Sequence, residues 1–72
     1  NQINLYPNPT SEILNIDYSG NVRVTVYNIE GKITLITNVK VINVQEWNKG
    51  TYYFRVEDVE SRLTTYEKVL VN

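Results

Sequence analysis

The chain has 72 residues, enough for one small domain, and contains no Cys and no His. That excludes disulfide frameworks, thiolate or imidazole metal sites, and nucleophile systems that need His. A net charge of −1, with no run of like charge beyond two residues, excludes the basic stripe of a nucleic-acid binder, and no apolar run exceeds three residues, too short for a membrane-spanning helix.

Val, Ile and Thr supply 24 of the residues and aromatic side chains another eight, so β-formers dominate. Ile3 to Tyr6 alternates and stops at Pro7-Asn8-Pro9, where the prolines remove ladder donors. Ile13 to Tyr18 is the next predicted strand, with Leu14, Ile16 and Tyr18 on one face. Ser19-Gly20-Asn21 turns the chain. Val22, Val24 and Val26 then alternate with Arg23, Thr25 and Tyr27, the cleanest half-buried strand in the sequence. Asn28-Ile29-Glu30-Gly31 reads as a hairpin loop, with Gly31 supplying a positive φ, and Lys32 to Thr37 as the returning strand.

Val39 to Val44 carries apolar residues at both parities, which predicts a strand covered on both faces. Gln45 to Lys49 is a connection, and Gly50 marks re-entry into a strand over Thr51 to Glu57. Asp58 to Arg62 is a polar turn, and Leu63 to Val71 is the last strand. About seven short antiparallel strands need two sheets face to face to bury their apolar side chains. The expected fold is all-β, a small immunoglobulin-like β-sandwich filling residues 1–72 as a single domain.

Few residues offer chemistry. Glu57, Asp58, Glu60 and Glu67 gather near the last hairpin. They read as a solvated turn, with a weak Ca²⁺ site on Asp58 and Glu60 as the alternative. Trp47 reads as a plug at one end of the core, its indole N–H reaching a carbonyl, or else as a sugar-stacking platform. Tyr27, Tyr53 and Tyr66 are expected outward, as cross-strand pairs or as a binding face. Three glycines, at Gly20, Gly31 and Gly50, cannot form a phosphate loop. The residues alone therefore indicate a small non-catalytic sandwich with no cofactor and no metal. A carbohydrate-binding or adhesive module is one function such a sandwich serves.

Four strings narrow this further. They are Leu5-Tyr6-Pro7-Asn8-Pro9-Thr10-Ser11 with Leu14-Asn15-Ile16; Val24-Thr25-Val26-Tyr27-Asn28 with Gly31-Lys32-Ile33; Trp47 through Val56; and Lys68-Val69-Leu70-Val71. Together and in this order they resemble the type A C-terminal sorting domain of the type IX secretion system. The resemblance implies a secretion signal fused behind a cargo. The cargo would pass through the periplasm to the outer membrane and cell surface. Implied partners are the type IX translocon, an outer-membrane shuttle protein and a sortase that cleaves in front of the domain. Nucleic acid and direct membrane insertion are not implied. The domain itself would do no chemistry.

Recognition of many cargoes by one machine favours backbone pairing along a sheet edge, supplemented by a few side-chain pockets. The candidate recognition residues are Pro7, Asn8 and Pro9 at the opening turn and Lys68, Val69, Leu70 and Val71 in the terminal strand. Gly31 and Gly50 are assigned to turns. An exposed edge strand also predicts an edge-to-edge dimer.

Overall fold

The computed structural model describes residues 2–72, and over them it holds strands, turns and irregular backbone with no helix. The strands are β1 (Asn4–Tyr6), β2 (Ile13–Asp17), β3 (Val22–Tyr27), β4 (Ile33–Thr37), β5 (Val41–Asn43), β6 (Gly50–Asp58) and β7 (Thr64–Val71). They form a three-stranded sheet in the order β1-β2-β5 and a four-stranded sheet in the order β4-β3-β6-β7. Every named pairing is antiparallel. β5 leaves the side of β4 and crosses to pair with β2, which gives the Greek-key connectivity of immunoglobulin-like sandwiches.

The core follows from period-2 alternation. Leu5, Leu14, Ile16 and Ile42 point inward from the smaller sheet. Val22, Val24, Val26, Phe54, Val56, Val69 and Val71 meet them from the larger one. Phe54, Leu14, Val24, Val26, Val56 and Val69 are wholly buried. Burying each such side chain stabilises by roughly 1.5–3 kcal/mol, so these two facing rows hold the sheets together.

Two hairpins show how turn chemistry fixes register. Between β3 and β4, Gly31 adopts φ +84°, open to an L side chain only at a cost. The Asn28 side chain accepts from the backbone N–H of Glu30 (2.9 Å) and Lys32 (3.0 Å), closing that loop. Gly50 also has positive φ, at +144°, where β6 begins. Between β6 and β7, Arg62 takes a positive φ of 69°.

Three expectations change. The strand predicted over Val39 to Val44 shrinks to β5, and only its inward face is covered: Ile42 and Val44 are buried, but Val39 and Val41 are 52% and 59% exposed. A β-branched residue is tolerated on a wet sheet face, so composition did not distinguish one covered face from two. Tyr18 lies just past β2 and reaches across to Asp58. Leu63 lies in the β6–β7 turn, outside β7, and is exposed.

Candidate recognition site

Pro7 to Thr10 follows β1 and runs along the last part of β7. Pro7 and Pro9 follow cis peptide bonds. Prolines cannot donate, so the strap's backbone could not by itself pair with a strand here. The Asn8 side chain takes over. Its Nδ2 donates to the carbonyl of Lys68 (2.8 Å), and its Oδ1 accepts the N–H of Leu70 (3.0 Å). One side-chain amide thus replaces one peptide unit. Thr10 continues with backbone bonds: its N–H donates to Leu70 O, and its carbonyl accepts from Asn72 N–H, both at 2.9 Å. Thr10 and Val71 form a parallel bridge. Thr10 is itself buried, and its hydroxyl donates to Ile13 O at 2.8 Å.

The two sequence-selected segments, sixty residues apart, therefore share one corner. Val69 and Val71 point into the core there. Pro7, Asn8, Pro9, Lys68 and Leu70 face solvent, with Leu70 42% exposed. A shallow cleft of about 350 Å³, lined by Pro7, Pro9, Glu12, Ile13, Asn15 and Asn72 among others, adjoins the strap. The chemistry this corner offers is apolar side chains, one ammonium, the Glu12 carboxylate and an amide already engaged.

One part of the edge expectation is corrected. Even-numbered residues of β7 turn their backbone groups outward, as the Leu70 bonds show. From Lys68 O to Asn72 N–H these groups are bonded to the strap. Backbone pairing with a second protein is thus closed over this stretch. Thr64 and Tyr66 lie beyond the strap's bonds.

Other singled-out residues have structural roles. Trp47 packs its ring on Phe54 at 6.1 Å between centroids and against Tyr52 at 4.9 Å. It closes one end of the core as expected, but its backbone N–H, rather than the indole, makes the bond to a carbonyl, that of Val44. Tyr27 and Tyr53 are cross-strand partners on the outer face of the larger sheet. Tyr66 sits opposite Arg55, whose Nε donates to the Tyr66 hydroxyl at 3.3 Å.

Asp58 organises the acidic turn. Its carboxylate accepts the Tyr18 hydroxyl and the backbone N–H groups of Ser61 (3.1 Å) and Glu60 (2.8 Å). These donors, Tyr18 foremost, hold the Asp58 carboxyl at about 2, below its ordinary 3.8. The same bond pushes the Tyr18 hydroxyl up. A carboxylate so occupied is a turn-former. Among the described residues no group of three His, Cys, Asp or Glu side chains is placed to hold a metal ion. Sequence reasoning missed the Asn8 pairing, the Tyr18–Asp58 bond and the role of Gly20. A Cβ on Gly20 would lie 2.7 Å from the Tyr18 ring and 2.9 Å from the Asp58 carboxylate. Only the turn signal at Gly20 was readable beforehand.

Compared with known families, residues 4–72 match the family model described as the secretion system C-terminal sorting domain. No curated protein matches the chain.

Proposed function

The chain belongs to the family of type IX secretion C-terminal sorting domains, and from that premise we propose that it is the folded address of a cargo fused upstream. The family is not an enzyme family, and a signal of this kind implies interaction with the type IX system and transit to the outer membrane and cell surface or beyond. In the proposed sequence the cargo crosses the periplasm, an outer-membrane shuttle protein and the translocon handle the folded domain, and a sortase cleaves in front of it. The domain contributes a shape and carries out no bond chemistry.

The observation that supports a specific read-out surface is the Asn8 clamp, which gathers Pro7, Pro9, Lys68 and Leu70 at one corner. Backbone groups there are taken, so recognition runs through side chains. Lys68 supplies charge, and Leu70 and the prolines supply apolar contact. A reporter fused to the chain tests both levels in a cell with the type IX system. Deleting the chain should abolish export, and retained export would defeat the address reading. Lys68→Ala and Leu70→Asp, checked for an unchanged melting temperature, should reduce export. If both fusions leave at the parental rate, this corner is not what the machinery reads.

A further inference from the structure

The four-stranded sheet has two outer strands, β7 and β4. β7 is strapped at its end, and Glu67 shares the inward parity of Val69 and Val71. An inward-pointing charge on an edge strand opposes the addition of another strand. β4 carries neither device.

The free backbone groups of β4 follow from its hairpin. Asn28 N–H donates to Lys32 O and Asn28 O accepts from Gly31 N–H, so Asn28 faces β4. Alternation turns Val26 and Val24 the same way, and their partners Leu35 and Thr37 back toward β3. The N–H and C=O of Ile36 then point to the open side. The side chains around this edge are aliphatic and wet: Ile33 is 48% and Ile36 60% exposed.

Charge identifies what would fit. At the C-terminal end of β4 a cleft of about 570 Å³ is lined by Arg23, Ile36, Thr37, Asn38, Lys40 and Val59 among others, with no carboxylate in its lining. Glu57, the cross-strand neighbour of Arg23, is drawn off by Arg55 (3.7 Å) and Arg62 (3.4 Å). Lys40 Nζ donates to the Tyr18 carbonyl at 2.7 Å and keeps its charge and its other N–H donors, so two cations stand beside an unpaired, aliphatic strand edge. We infer that β4 is the docking edge for an extended strand of another protein, held by backbone bonds to Ile36 and by an acidic side chain in the cleft of Arg23 and Lys40. The partner segment alternates β-branched residues and carries Asp or Glu at the end that meets the cleft. A second copy of this chain fits less well, because two-fold pairing about Ile36 brings Lys32 toward the same cations. The inference goes beyond the sorting reading and stands without it, since the edge is available to whichever protein supplies the strand.

The test is an NMR titration of the ¹⁵N-labelled chain with two synthetic peptides. Both are alternating Thr-Val hexamers, one flanked at both ends by Asp and the other by Lys. The Asp peptide should shift the Ile36 amide and slow its exchange with solvent. The Lys peptide should bind ~10-fold more weakly, and Arg23→Glu, at an exposed position, should abolish the difference between the two. Equal binding of both peptides overturns the inference. So do shifts confined to β7 and the strap, an absence of shifts, or Ile36 signals that move with chain concentration alone, which would identify a second copy as the occupant.

Discussion

The two outer strands of the larger sheet are built from similar residues and finished in different ways. β7 ends under a strap whose Asn8 amide and Thr10 backbone occupy outward groups from Lys68 to Asn72. β4 ends in a short loop, with Ile36 open to solvent. An uncovered edge is a liability that proteins usually blunt. Here one edge is closed by a segment sixty residues away in sequence, while the other is left with aliphatic side chains and a basic cleft. The difference separates two modes of contact: β7 offers side chains at a fixed corner, and β4 offers backbone.

The core carries the largest expected loss, because both edges rest on it. Phe54→Ala removes the central wholly buried ring and should cost about 3–5 kcal/mol in denaturant unfolding. Both edges should lose amide protection together. If the strapped corner kept its protection, the sheet would not unfold as one unit.

Gly31→Val acts on the β4 side. The site has open space within 4 Å, so the loss reports backbone strain alone. It should be about 1–3 kcal/mol by thermal melting, with Gly31→Asn recovering much of it. Amide exchange should rise in β4 more than in β7. A Gly31→Val domain melting at the parental temperature would show that this loop does not depend on a left-handed residue.

Asn8→Ala acts on the β7 side. Two solvent-exposed hydrogen bonds are lost, for about 1–2 kcal/mol in all. Exchange at the Leu70 amide should accelerate while Ile36 stays unchanged. Equal acceleration at both would mean that the strap stabilises the whole domain instead of one edge.

Acidification probes a third corner, remote from this contrast, and serves as its control. The folded Asp58 value of about 2 lies below the ordinary 3.8. The ionised carboxylate therefore stabilises the fold above about pH 4, and that contribution fades as pH falls through 4 toward 2. Asp58→Asn should flatten the pH dependence in this window and leave the relative protection of β4 and β7 as it was. An unaltered acid slope would place the titration elsewhere.

Local pattern made much of this readable in advance. The alternation of Val22, Val24 and Val26 announced β3 with its buried face, and Pro7 and Pro9 announced the end of β1. Gly31 announced the hairpin, because only a few residues accept its φ. The resemblance carried by the four strings agrees with the family match over residues 4–72. What could not be read depends on who meets whom across the fold. Val41 has the composition of a covered residue, yet its side chain is exposed. Asn8 looked like part of a turn, and nothing near it in sequence pointed to Lys68 and Leu70. Gly20 looked like an ordinary turn glycine, although the Tyr18 ring and Asp58 leave no room for a side chain.

The strap has a mechanical consequence. Asn8 pairs with Lys68 and Leu70, and Thr10 with Leu70 and Asn72, so the two segments run parallel, side by side. Tension applied between the upstream end of one and the downstream end of the other pulls along both. It loads all four bonds in shear at once and cannot peel them open one after another. A chain with Asn8→Ala surrenders two of the four and should rupture at lower force in a single-molecule pulling experiment.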